Sequence, residues 1–559
     1  MTTQGKAGLA PTMSLQLRVV GGCLLAMALA GHVWEIRHRG IDPDELVNHL
    51  HNAFSIWSGE VIYRDFFAYH GPALSYLLQP LFWLLGPDFS VLWWGRALNS
   101  VFAIATLFLT GCLGRRLCGA GAGWVAAALL AWTTIFHVKA IELRPDVPAM
   151  LLVALATWVL VSASGSLTVS RCLVSGSLAG LAMLFTQKAI VPAAGLGLAV
   201  LVVAGTIRLR RGVALAGAVV AGALVPWGAA TAWFVWHNAA GDFLRSTLYQ
   251  LAVIPVRSSR WEHLRPTLSA DLSVWVLAAW ELVETWQSRR EREVWSSGRG
   301  LIAILTAWCL FSLVWVKAAY PQFYLLWMPF VAVLAAKRLA TWGQTQSRLT
   351  RFQFWMWLAV VASQLLLIKR ALSLGQSGPT PHLDLDSRPL TTTWFLVVTL
   401  SAAAIAIAIS SAFERRGWFP RQVFVLAMLG MGYGAFRNLD ALAWFNESQL
   451  TAIRSVEAAF PPNGRVLDGF TGLAPLRRHA YYFCWINEYS GALMSPEDRE
   501  QRLLRVLRET PPAAVLFDEH LQRLPSSVTV WIREHYHPSD VPPLWLPNDA
   551  ESIKSLIRP

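Results

Sequence analysis

The chain has 559 residues, of which 55% are hydrophobic and only 14% charged, and its mean hydropathy is +0.43. That composition is the one of polytopic membrane proteins and excludes a chain whose main solvent is water. The formal charge of +13 sits in short arginine clusters between apolar runs, the pattern left by cytoplasmic retention during insertion, and so excludes nucleic acid as the partner.

The first apolar run, Val19 to Trp34, lacks a small-residue cleavage site and reads as a retained span. It is followed by GIDPDELVNHLHNAFSIWSGEVIYRDFFAYHGPA, Gly40 to Ala73, which concentrates Asp42, Asp44, Glu45, Asp65 and His70 in an otherwise apolar chain. Pro72 to Gly86 is apolar but short and interrupted by Pro80, which predicts a segment lying in the membrane interface. Counting runs of about 20 apolar residues predicts about thirteen spans. They centre near residues 25, 102, 130, 155, 179, 197, 224, 279, 308, 330, 362, 401 and 428. Arg115/Arg116, Arg171, Arg208/Arg210/Arg211, Arg289 to Arg292, Lys337/Arg338 and Arg415/Arg416 fall on alternate loops, which the positive-inside rule assigns to the cytoplasm. The N-terminus is then inside, and the loops at 35–87, 137–146, 186–190, 237–270, 317–324 and 371–390 face out together with the C-terminal region. Twenty-eight tryptophans suit many bilayer interfaces.

Beyond about residue 438 the pattern becomes soluble α/β. Gln449 to Phe460 and Glu497 to Glu509 have helical periodicity, whereas Arg465 to Asp468 and Ala513 to Phe517 read as short strands beside proline breakers. The predicted architecture is therefore an all-α transmembrane domain over 1–437 and a small α/β extramembrane domain over 438–559, a capping or recognition unit. Cys484 is alone in that region, so it holds no disulfide framework and no CxxC metal site.

Asp42-Pro43-Asp44-Glu45 has a purely structural explanation for two of its acids. Asp42 suits an N-cap, Pro43 the first helical position, and Glu45 closes a capping box. Asp44 is left with a projecting carboxylate that the helix N-terminus keeps ionised, as a general base requires.

The Asp-Glu pair after the first span, Ser58-Gly59, Tyr63-Arg64-Asp65-Phe66 and Gly71-Pro72 occur in an order that resembles the first external loop of the C-type membrane glycosyltransferases. Gly114-Arg115-Arg116-Leu117, Arg144-Pro145-Asp146 and Lys317 through Tyr324 to Pro329 extend the resemblance over roughly residues 15 to 340. It is nearest the branch of the protein O-mannosyltransferases and the bacterial transferases that modify lipid A. The resemblance implies a site at the outer membrane boundary, a polyprenyl-phosphate sugar donor, and inversion in a single displacement. It makes Asp44 the catalytic base and Glu45 an orienting neighbour. Gly71-Pro72 stands where the lipid A branch carries Lys-Pro-Pro, which argues against aminoarabinose as the sugar.

A phosphate is a good leaving group, so one base and a cationic clamp suffice. Arg144, Lys188 and Lys317, with Tyr320 and Tyr324 as hydrogen-bond donors, are the candidates for that clamp, and Asp65, His70 and Asp146 for substrate contacts. The competing reading pairs Arg144 with Asp146, has both lysines snorkel from span ends and puts the tyrosines in the aromatic belt. His49 and His51, two residues apart, point to different helix faces and do not make a metal cluster with His70 and Asp65. No metal or other cofactor is expected. Asn446-Glu447-Ser448 matches a glycosylation sequon. The resemblance therefore implies a glycosyltransferase in a bacterial inner membrane, moving a sugar to a hydroxyl of a glycan, lipid or protein. A flippase of lipid-linked sugars and a polysaccharide polymerase or ligase are the alternatives.

Overall fold

The computed structural model describes residues 11–162, 167–206, 208–249, 264, 267, 268, 271–288, 298–316, 320–345, 445–459, 461–486 and 494–548. In the apolar part, α1 (Pro11–His38) leads into a π-helical turn (Glu45–Leu50) that continues as α2 (His51–Trp57). Two short helices, α3 (Ala73–Leu77) and α4 (Gln79–Leu85), precede α5 (Ser90–Cys118), α6 (Ala120–Trp132), α7 (Thr134–Lys139) and α8 (Asp146–Val161). Then come α9 (Val169–Phe185), α10 (Ile190–Gly205), α11 (Leu209–Trp236), α12 (Ala240–Leu244), α13 (Leu272–Gln287), α14 (Gly298–Ser312), α15 (Pro321–Leu325) and α16 (Met328–Thr345).

Ten of the expected span centres fall on these helices, and those near 362, 401 and 428 lie outside the described residues, as does the boundary at 438. Three described helices, Ser90–Cys118, Gln187–Gly205 and Leu209–Trp236, are long and apolar enough to cross a membrane by themselves. The count of thirteen is therefore not reached among the described residues. Several of the others are short because they stop at a polar layer: α6 breaks from α7 at Thr133, whose backbone is extended, and α8 begins only at Asp146.

Helix α9 packs on α11 with almost no separation. Gly176 and Gly180 form a G-x-x-x-G pair, and a Cβ at either would come within 2.0 Å and 2.3 Å of the Val219 and Ala223 carbonyl oxygens. Between apolar helices in an apolar solvent, such close backbone approach replaces hydrophobic burial as the source of association. The apolar segment after Pro72 forms two short helices, α3 and α4, neither of them long enough to span. Pro80 falls at the start of α4, Leu74, Leu78 and Phe82 are buried, and Trp83 and Leu84 are exposed.

In the C-terminal region, α17 (Glu447–Ala458), β1 (Val466–Asp468), α18 (Pro496–Glu509), β2 (Ala514–Leu516), α19 (Glu519–Gln522), α20 (Ser526–His535), β3 (Tyr536–Pro538) and β4 (Leu544–Pro547) follow in order. The sheet order is β1-β2-β4-β3, with β1 and β2 parallel and the remaining pairs antiparallel. The two helices and two strands expected here are present within a few residues. The last two strands leave no signal in the sequence, because Tyr536–Pro538 and Leu544–Pro547 are too short and too proline-rich to carry an alternating pattern. Asn446, the sequon residue, is buried, and its amide nitrogen donates to the carbonyls of Arg37 at 2.6 Å and Arg39 at 3.0 Å. It serves the packing of α1, not glycan attachment.

Candidate active site

The loop after α1 folds as its sequence dictates. The Asp44 N–H donates to Asp42 Oδ1 at 3.0 Å and the Asp42 N–H to Glu45 Oε2 at 3.1 Å, a reciprocal capping box. Glu45 is wholly buried and also accepts from Arg96 Nε at 2.8 Å and from the Leu143 N–H at 2.6 Å. Both its oxygens are engaged, so Glu45 fastens the turn to α5 and to the 140–145 loop.

The next turn is π-helical, where residues five apart approach one face. Asn48 and His49 therefore both converge on Asp44: Asn48 Nδ2 donates to Asp44 Oδ1 at 2.5 Å, and His49 Nε2 lies 3.7 Å from Oδ2. From the opposite side Arg144 places Nη1 3.0 Å from Asp44 Oδ2 and Nη2 3.2 Å from Asp42 Oδ2, while its Nε donates to Glu142. Lys139 closes the ring, 2.8 Å from Glu142 and 3.2 Å from Asp42. Burial opposes ionisation of Asp44, but the Arg144 guanidinium and the neighbouring His49 outweigh it and hold the carboxyl well below the usual range. Asp42 is treated likewise, burial opposing and Lys139 and Arg144 prevailing, and is drawn down to about 2. Asp44 keeps 20% of its side chain exposed, whereas Glu142 keeps none.

Beside this ring, Lys188 donates to Asp146 at 3.0 Å. Arg144 thus pairs with Asp42, Asp44 and Glu142, and Asp146 is taken by Lys188, so the Arg144–Asp146 pair of the competing reading is replaced. His70 stands 5.3 Å from His49 between ring centroids, and burial, helped by the Lys188 ammonium, lowers it to about 3, so the imidazole is neutral. Its position is set by Tyr63, a buried residue at φ +72° whose hydroxyl donates to the His70 carbonyl at 2.7 Å. A left-handed tyrosine is uncommon and is held here by surrounding structure. Gly71 explains the departure from Lys-Pro-Pro: a Cβ there would lie 2.0 Å from the Leu184 carbonyl oxygen, so the position admits no side chain while the loop stays against α9.

The structure thus brings Asp44, Arg144, Lys188, Asp146 and His70 into one cluster. It leaves Asp65 at the rim, pairing with Arg64 at 2.8 Å and accepting the Val61 N–H at 2.7 Å, a turn-forming role. Tyr320 precedes α15, which packs on α7 and α8. Tyr324 on that helix is wholly buried against Trp275 and Trp327, its hydroxyl without a hydrogen-bond partner among the described residues. Lys317 lies outside the described residues. Sequence reasoning missed Lys139, Glu142, Asn48 and Arg96. The alternating charges of Lys139, Glu142, Arg144 and Asp146 were the signal for the first two.

The ligand atoms of Asp44, His49 and His70 lie within 4.8 Å of one another, a donor set that a borderline divalent cation could use. His51, as expected, faces away, with Nδ1 3.1 Å from the Pro475 carbonyl. A cation at Asp44 would have to displace Arg144 from one carboxylate oxygen and Asn48 from the other. His49 Nε2 and His70 Nδ1 are buried without hydrogen-bond partners among the described residues and so remain open to a ligand.

Comparison with known proteins adds a family match over part of the chain and a similar fold. A family model described as dolichyl-phosphate-mannose-protein mannosyltransferase matches residues 69–229, which include His70, Arg144, Asp146 and Lys188 but not Asp44. No curated protein matches the chain. The crystal structure of ArnT from Cupriavidus metallidurans bound to undecaprenyl phosphate superimposes with a TM-score of 0.58 at 15% identity, over 99% of this chain and 100% of that one. The apo form of the same protein gives 0.60 at 15% identity, over 96% and 98%.

Proposed function

We propose that this chain, whose fold is similar to that of ArnT, is a multi-pass C-type membrane glycosyltransferase that moves a sugar from a polyprenyl phosphate to a hydroxyl acceptor with inversion at the anomeric carbon. The site lies at the membrane end where the chain's few arginine clusters are absent, the outer face in this reading. One observation carries it: a partly exposed carboxylate, Asp44, held ionised by Arg144 next to a second cation, Lys188, with the neutral His70 imidazole and His49 beside it. The acceptor O–H gives its proton to Asp44 as the new C–O bond forms, and the electron pair of the breaking C–O bond leaves on the phosphate. Asp44 is a weak base, so the proton moves late, when the attacking hydroxyl has become acidic. Arg144 and Lys188 stabilise the departing phosphate, and low local dielectric strengthens that attraction. His70, neutral and with an open nitrogen, orients the acceptor hydroxyl or a phosphate oxygen, and His49 stands beside both it and Asp44.

The reading includes no divalent metal, because both Asp44 oxygens already hold donors and the positive charge comes from side chains. The neighbour's undecaprenyl phosphate supports the donor class. The test is purified protein in nanodiscs, offered radiolabelled polyprenyl-phosphate sugars with a membrane extract as acceptor source, wild type against Asp44→Asn. Transfer from one donor that vanishes in the variant, with donor binding retained, is expected. Transfer that survives removes Asp44 as base, and labelled lipid crossing proteoliposomes without transfer would replace the reading by a flippase.

A further inference from the structure

A helix end leaves its last carbonyls without partners, and something must satisfy them. At the end of α1 they are met from two directions. Arg96 of α5 donates to the carbonyls of Ile36 at 3.3 Å, Arg39 at 3.1 Å and Gly40 at 3.0 Å. The segment entering the C-terminal domain supplies the rest. Asn446 donates to Arg37 and Arg39 through its side chain and to His38 through its backbone N–H at 3.2 Å. Gln449, on the first turn of α17, forms a two-way bridge with Ile41: it accepts the Ile41 N–H at 2.8 Å and donates to the Ile41 carbonyl at 2.8 Å.

Ile41 is the residue before Asp42, and Asp42 both caps Asp44 and binds Arg144 and Lys139. The backbone of that cap is therefore fixed at its amino side by a glutamine more than 400 positions away. A side-chain amide bridging both polar groups of one residue acts as an extra strand partner, with no freedom to slide. Gly472 also packs against Leu46 and Val47 of the turn, but no hydrogen bond among the described residues ties it to them, whereas the contacts of Arg478 with the Ser58 carbonyl and of the Tyr482 carbonyl with the Phe67 N–H lie past the catalytic turn.

We infer that Gln449, supported by Asn446, is a positioning residue for Asp44, through which the C-terminal domain sets the alignment of the base with Arg144. The inference rests on the glycosyl-transfer reading above and gives the C-terminal domain a part in the reaction that capping or recognition does not include. Gln449→Met keeps length and helix propensity and deletes both hydrogen bonds; Gln449→Glu keeps the acceptor and loses the donor. Arg478→Ala removes a domain–loop contact away from the turn.

The experiment pairs kinetics with hydrogen exchange on the full chain in nanodiscs, counting sites by bound donor. Gln449→Met is expected to lose roughly tenfold in kcat, since small misplacements of a reacting group cost this much or more. The donor KM should hold, because Arg144 and Lys188 are carried by other elements. Peptides spanning Ile41 should exchange faster while those of β1 and β2 do not, Gln449→Glu should fall between, and Arg478→Ala should match wild type. Unchanged kcat despite faster exchange at Ile41 would overturn the inference. So would a loss in which KM, thermal stability and kcat move together in Gln449→Met and Arg478→Ala alike. Faster exchange at Ile41 in a protein whose wild type transfers no sugar would keep the clamp and overturn the transfer reading.

Discussion

Two buried ion clusters sit at opposite ends of the helix bundle, and they are built differently. At one end Glu281 of α13, 1% exposed, is 2.9 Å from Arg299 and 2.5 Å from Lys337, Glu284 pairs with Arg338, and Arg338 lies 4.6 Å over the Trp280 ring. The acids Glu281 and Glu284 are matched by cations from neighbouring helices, so the cluster ties α13, α14 and α16 together. At the other end, Asp44 keeps a fifth of its surface open and two imidazole nitrogens have no hydrogen-bond partner among the described residues. Charge buried near a membrane boundary is costly and demands a reason. A saturated cluster has its reason in packing, whereas one with open, buried nitrogens around an accessible carboxylate has room for a ligand.

Substitutions separate these two kinds of cluster. Asp44→Asn should lower kcat by about a thousandfold, the scale of losing a general base, with little change in thermal unfolding; a matching collapse in stability would make Asp44 one more packing charge. Glu281→Ala should do the reverse. Leaving Arg299 and Lys337 without their shared partner should cost about 3–5 kcal/mol, read as a lower unfolding temperature, while the donor KM of the folded fraction stays put. Arg144→Lys should reduce kcat by roughly a hundredfold in the same transfer assay, because one ammonium cannot span Asp42, Asp44 and Glu142 as a guanidinium fork does.

A smaller effect is expected with pH. His51 and His479 meet edge to face at 4.5 Å where α2 touches the C-terminal region. Burial lowers His51 to about 4 and, with the neighbouring His51, takes His479 well below 6.5. The folded protein keeps both neutral while the unfolded chain binds protons below about 6.5, so stability is full above that pH and falls as pH drops toward 4. Thermal unfolding measured from pH 7 down to 4.5 should show this slope, and His479→Phe should flatten it. The smallest effect expected is that of a chelator. Extensive dialysis against EDTA should leave transfer unchanged, and lost activity restored by a divalent cation would instead place the ion at Asp44, His49 and His70.

Much of the architecture was legible in one dimension. Apolar runs gave helix positions, because the hydrocarbon requires backbone groups to pair within the segment. Alternating arginines separated the two ends, and the Asp42–Glu45 capping box followed from residue spacing alone. Asp44 was separable from its neighbours by the same local logic, since a cap explained the other two acids. Legibility stopped where partners come from distant positions. The spacing of His49 and His51 correctly separates those two rings, but it gives no hint that a π-helical turn swings His49 onto Asp44. Asp65 looked like a site residue because it lies in the same stretch, yet its turn points it to Arg64 at the rim. Tyr324 looked like a donor, yet α15 buries its ring against Trp275.

Composition and local pattern determined that this is a membrane chain with a cap-forming acidic turn after its first span, because those depend on solvent and on neighbours a few residues away. Which carboxylate stays open, that Arg144 binds Asp44 while Lys188 takes Asp146, that Gly71 excludes a lysine, and that Gln449 holds Ile41 were decided by tertiary structure. Each depends on backbones and charges brought together from α1, α5, α8, α9 and α17, and no local spacing encodes the approach of segments that far apart in the chain.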